Sequence, residues 1–169
     1  MGFRDTSLLC KIVLILLFLC FCNALIAFAI PYWRSVHDNI LKVSQGLWNL
    51  CTETDEYRAC ATIGNINLPE WFRAVRAFSI LSWVFFLAAL VYVSIFVFCK
   101  SDTKALYAAA VYLSFAGAVW ALIAFAVYAG KTQLKEYHAG FGLTIVSFIL
   151  GLIIGILGML DCLGIVGSK

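Results

Sequence analysis

A chain of 169 residues in which 64% are hydrophobic, 15% aromatic and only 12% charged is not a water-soluble globule, because such domains run near 45–50% apolar and about 25% charged. The apolar content also excludes disorder. A net charge of +3, with no block of like charges, gives no basis for binding nucleic acid. The composition fits a bilayer.

Four runs carry no charged side chain: residues 12–30, 77–99, 105–130 and 139–160, each 19 to 26 residues long. A helix needs ~20 apolar residues to cross ~30 Å of hydrocarbon. Inside lipid every backbone polar group must be bonded within the segment, so the runs are predicted helices. With flanks, they are placed at about 9–30, 77–99, 105–130 and 139–162. The fold class expected is a mainly α membrane protein, a four-helix transmembrane bundle forming a single domain over 1–169. The first run follows Arg4 and Lys11 and contains Ala27-Phe28-Ala29, which looks like a signal-peptidase site. Its 19 apolar residues exceed the about 7–15 of a signal h-region, so it is read as a retained first span.

The connections are unequal. A loop spans 31–76, a short one 100–104 and a second outer loop 131–138. An even number of spans puts both termini on one side. That side holds five Lys and Arg residues, and the other holds seven over far more chain. Raw counts disagree with a cytoplasmic N-terminus, but density in short segments next to helix ends sets topology, so the termini are expected to be cytoplasmic and the long loop extracellular; the location expected is the plasma membrane.

The long loop begins with Tyr32-Trp33 and continues through His37 to Gly46-Leu47-Trp48, Cys51 and Cys60. It closes on Pro69-Glu70-Trp71-Phe72-Arg73-Ala74-Val75-Arg76. Cys51 and Cys60 are the two cysteines in the loops of that face, and in an oxidising compartment they read as a disulfide. Two free thiols are the alternative. His37 and His138 add no metal-type spacing, so no metal or other cofactor is expected. The flanks of 52–59 fit two strands stapled at their bases, and Pro69 suits the first turn of a short helix. Tyr32, Trp33, Trp71 and Phe72 suit headgroup level.

Trp33, then Gly46-Leu47-Trp48 with Cys51 and Cys60, then Arg76 just before the second span, resembles the signature of the claudin superfamily. That group comprises claudins, peripheral myelin protein, epithelial membrane proteins, the lens intrinsic membrane protein and calcium-channel gamma subunits. The likeness covers the four-span layout of the whole chain. It implies an extracellular Cys51–Cys60 disulfide across two strands of a small antiparallel β-sheet crowning the bundle. It also implies a role in cell–cell contact, in selecting ions between cells, or as a partner of other membrane proteins. The ending Val166-Gly167-Ser168-Lys169 departs from the valine-terminated tails of tight-junction claudins, so no PDZ-binding tail is evident.

Within the spans Asn23 is a polar residue able to bond across helices, and Gly151 and Gly155 allow close packing. No ionisable side chain of the Asp, Glu, Lys, Arg or His type lies near mid-membrane, which disfavours a transporter. Cys10, Cys99 and Cys162 sit near the cytoplasmic boundary, as lipidation sites or as buried thiols. Hydrolase, metalloprotease and phosphate-loop motifs are missing, so no enzyme is expected. Glu53, Asp55 and Glu56 are candidates for charge selectivity. Leu134 and Tyr137 are candidates for partner contact. The function expected is a claudin-like structural protein of cell–cell junctions. It would assemble as a homo-oligomer in the membrane and meet claudin-like molecules on adjacent cells as an adhesive barrier or channel, with membrane lipid around it. The alternative is an accessory subunit of another membrane protein.

Overall fold

The structure, a computed structural model, describes residues 6–37, 41–54, 57–64, 68–99, 104–132 and 137–164. Four helices run Leu8–Ala29 (α1), Glu70–Phe98 (α2), Lys104–Ala129 (α3) and Ala139–Cys162 (α4). All four are long and apolar enough to cross a membrane. They form a ring in which α1 touches α2, α2 touches α3, α3 touches α4 and α4 returns to α1. Apolar side chains such as Phe18, Ile26, Val91, Val119, Ile149 and Ile156 point outward. An apolar girdle of this kind is unfavourable in water and suits lipid.

Each helix begins where its local chemistry allows. Ser7 caps α1, its Oγ accepting from the Cys10 N–H at 3.0 Å. Pro69 stands at the cap position of α2, followed by Glu70 in the first turn, paired with Arg73. The short helix expected at Pro69 is thus continuous with the second span. Residues 70–76, placed by sequence in the loop, are its first two turns, carrying charged and aromatic side chains above the hydrocarbon.

Between α1 and α2 lies a four-stranded antiparallel sheet in sequence order, made of β1 (Arg34–His37), β2 (Lys42–Gln45), β3 (Asn49–Glu53) and β4 (Arg58–Thr62). Sequence reading expected two strands here, so β1 and β2 are additions. A bridge from Arg34 to Tyr137 ties the second outer loop to the free side of β1. The sheet sits at the end of the bundle opposite the start of α1 and the end of α4.

Two apolar clusters fill the interior. One occupies the body of the bundle, including Leu17, Phe86, Val93, Val111 and Ile154. The other lies beneath the sheet and holds Trp33, Leu47, Phe72, Val75, Tyr128 and Phe141.

Candidate functional site

The sheet is seated on the bundle by the residues that stood out in the sequence. Trp33 is 1% exposed, and its indole N–H donates to the Ala27 carbonyl at 2.7 Å. In a continuing helix that carbonyl would accept from residue 31, but Pro31 has no N–H. The indole therefore takes the place of the missing backbone donor at the end of α1. The Trp33 ring meets Tyr128 edge-on at 5.1 Å. Gly140 backs it, since a Cβ there would lie 2.7 Å from the indole nitrogen.

The Trp33 N–H donates to the Gln45 carbonyl at 2.8 Å, which leads the chain into Gly46. A Cβ on Gly46 would fall 2.6 Å from the Ile30 carbonyl oxygen, so only glycine lets the β2–β3 connection lie against the end of α1. Leu47 then drops into the lower cluster, fully buried. Trp48 packs edge-on to Phe28 at 5.1 Å.

Arg76 binds this segment to α2. It is buried. Its Nε donates to the Leu47 carbonyl at 2.7 Å, and an Nη donates to the Ile63 carbonyl at 3.2 Å. The guanidinium lies 4.8 Å from the Trp48 ring centre and 5.2 Å from that of Phe72. Backbone oxygens and aromatic faces together stabilise a cation withdrawn from water. One side chain thus holds both ends of the β3–β4 hairpin.

The disulfide joins Cys51 to Cys60, which are directly opposed in the β3–β4 ladder. It lies at the middle of both five-residue strands, not at their bases. Their Cα atoms are 4.1 Å apart, the spacing of a non-hydrogen-bonded pair. Beyond the strands the hairpin closes with the Thr54 N–H donating to the Tyr57 carbonyl at 2.9 Å. Replacing both cysteines with serine is expected to destabilise the hairpin by about 2.5–3 kcal/mol, the loop-closure entropy for about ten residues. Limited proteolysis near Tyr57 on cells should then become faster. Equal cleavage of the variant and the parent would remove the disulfide from this role.

The ladder also sorts the charges. Glu53 lies on the same face as the disulfide, opposite Lys42, with 3.7 Å between the charged atoms. Arg58 follows in the same row and donates to the Tyr32 hydroxyl. The other face presents Val36, Val43, Leu50, Ala59 and Ala61 beside the polar Gln45 and Thr52, with Arg34 its one charged residue among those described. Asp55 and Glu56 lie outside the described residues.

Leu134 also lies outside the described residues. Tyr137 is half-buried, its ring stacked at 4.1 Å on Phe141 and its hydroxyl donating to the Ala129 and Thr132 carbonyls. The ring faces the chain's own interior. Asn23 donates from Nδ2 to the Leu143 carbonyl at 2.8 Å and to the Ser147 hydroxyl at 2.7 Å, which ties α1 to α4. Gly151 and Gly155 face the chain's own helices. Added Cβ atoms would lie 2.9 Å from Phe86 and 2.6 Å from Phe115. Among the described residues no group of three His, Cys, Asp or Glu side chains is placed to hold a metal.

Sequence reading missed Lys42 as the partner of Glu53, Gly140 as the backing of Trp33, and the Leu47 and Ile63 carbonyls as the acceptors for Arg76. Gly140 had a signal: a glycine in the first turn of a predicted membrane helix.

No match was found among curated proteins. The family model described as the PMP-22/EMP/MP20/Claudin family matches residues 6–163. Four apolar helices, a four-stranded antiparallel sheet and the Cys51–Cys60 disulfide agree with it. The sheet is accordingly the extracellular crown of a multi-pass membrane protein, and the chain belongs to the PMP-22/EMP/MP20/Claudin family.

Proposed function

We propose that this protein is a structural component of cell–cell contacts in the plasma membrane, with both termini cytoplasmic. It assembles side by side and between cells through its crown, forming an adhesive barrier. Family membership points to a structural rather than an enzymatic role.

The observation that carries this reading is the outer edge of β4. Every residue from Arg58 to Thr62 is exposed, and among the described residues no strand pairs beyond it. The edge of β1, by contrast, is bridged by Tyr137. Because Cys51 and Cys60 form a non-hydrogen-bonded pair, the backbone N–H and C=O groups of Arg58, Cys60 and Thr62 point away from β3. A strand edge held rigid by a disulfide offers unpaired backbone groups to a strand of another molecule.

Among the described residues the charge pattern favours a barrier over a cation-selective pore. Lys42 compensates Glu53, and the open face carries mainly small and aliphatic side chains.

Thr62→Pro tests the edge. It removes one outward N–H and leaves the inward bonds intact, whereas Ala61→Pro removes an inward bond and reports on misfolding. Expressed alone in cells without junctions, the parent is expected to concentrate at contacts. Thr62→Pro should lose most of that enrichment while still reaching the surface with its disulfide formed. Unchanged enrichment of Thr62→Pro would reject edge pairing. Absence of contact enrichment in the parent, with co-purification of a channel, would instead support an accessory-subunit role.

A further inference from the structure

The end of the bundle opposite the crown contains a cavity of about 530 Å³, within the range of small-ligand sites. All four helices or their ends line it: Ser7 and Cys10 from α1, Phe96 from α2, Lys104, Ala105 and Tyr107 from α3, Asp161 and Cys162 from α4. Nothing in the crown requires it, and the family signature does not touch it.

Its polar side chains, Ser7, Lys104, Tyr107 and Asp161, border one space. Asp161 accepts from the Ser7 hydroxyl at 2.8 Å. Among the described residues neither Asp161 nor Lys104 has an ion-pair partner. Tyr107 is 5% exposed. Its buried hydroxyl faces the Asp161 carboxylate. The Asp161 carboxylate is thus met by hydroxyls and by no cation among the described residues, which leaves it open to a cation brought by a ligand.

The two charges are of opposite sign and border one space. A carboxylate flanked by hydroxyls suits a primary ammonium, which brings three N–H donors. Lys104 supplies the complement for a phosphate. The apolar wall of Phe96, Ala105 and Cys10 suits the first methylenes of a lipid tail. We propose that this cavity binds the headgroup of a membrane phospholipid bearing a primary ammonium and a phosphodiester, the ethanolamine class, drawn from the adjoining leaflet. A trimethylated headgroup lacks the N–H donors and is excluded.

The chain carries its own reporter. Cys162 borders the cavity and is exposed, and Cys99 is also exposed but outside it. The full chain is placed in nanodiscs of phosphatidylcholine alone or mixed with phosphatidylethanolamine, and both thiols are titrated with a membrane-impermeant maleimide. The expected result is Cys162 modification slowed roughly tenfold by the ethanolamine lipid, as for a ligand at about ten times its dissociation constant, with Cys99 unchanged. Asp161→Asn and Lys104→Gln should each abolish the protection while leaving the Cys51–Cys60 disulfide and the Cys99 rate intact. Equal rates in the two lipids, or equal protection in Asp161→Asn, would overturn the proposal. So would protection by soluble phosphoethanolamine in phosphatidylcholine discs, because the site would then recognise a solute and not a lipid.

Discussion

Replacing Trp33 with alanine is expected to destabilise the protein by about 3–5 kcal/mol, the usual cost of emptying a buried tryptophan site. Two losses combine. The ring leaves a void among Tyr128, Leu47 and Phe141, and the Ala27 carbonyl loses its donor just where Pro31 prevents a backbone replacement. Trp33→Phe separates them. It keeps most of the apolar volume and removes the N–H, so a smaller loss of about 1–3 kcal/mol is expected. Equilibrium unfolding in mixed micelles, followed by near-ultraviolet circular dichroism, measures both. If Trp33→Phe proved as stable as the parent, the indole would not be the cap of α1.

The second large effect is at Arg76. Arg76→Ala removes two charge-assisted hydrogen bonds and two aromatic contacts, and leaves the buried Leu47 carbonyl without that donor. A loss of about 2–4 kcal/mol is expected. The hairpin should lose its fixed position on α2 while the four spans remain inserted. Surface delivery, measured by biotinylation, should fall several-fold, with the retained pool still inserted but its crown open to protease. Arg76→Lys keeps the charge but presents no planar fork to two carbonyls, so it should fall between alanine and the parent. A surface level for Arg76→Ala equal to that of the parent would show that the crown is held by packing alone.

Much of this architecture is legible in the sequence, for identifiable reasons. The spans are visible because lipid forbids charge over about 20 residues. That criterion measures depth in the membrane and not helicity. It therefore missed the first two turns of α2, where Glu70, Arg73 and Arg76 rise above the hydrocarbon while the backbone stays helical. β1 and β2 are only four residues each. Arg-Ser-Val-His and Lys-Val-Ser-Gln alternate too briefly to show a period, and the ladder that pairs them leaves no local mark. Trp33, Gly46, Leu47, Trp48 and Arg76 are visible as a pattern, yet the reason for the pattern is not. A backbone carbonyl is present at every position, so nothing in the letters says that Leu47 and Ile63 supply the acceptors. The compensation of Glu53 by Lys42 depends on register, and the cavity joins Tyr107 to Asp161, far apart in the chain, so both appear only in three dimensions.

The tie between Asn23 and α4 has a consequence for how the protein is made. Its acceptors, the Leu143 carbonyl and Ser147 hydroxyl, are synthesised some 120 residues after Asn23. Until the last span leaves the translocon, the first presents an unsatisfied amide to lipid or to whatever shields it. The hairpin can oxidise in the lumen long before that. It comes to rest on the bundle only when Gly140 arrives behind Trp33. An ordered biogenesis is therefore expected, with the hairpin closing early and docking late and the Asn23 amide left as a polar mark until α4 arrives. Truncations ending before α4 should linger with whatever shields that amide even when their disulfide is fully formed.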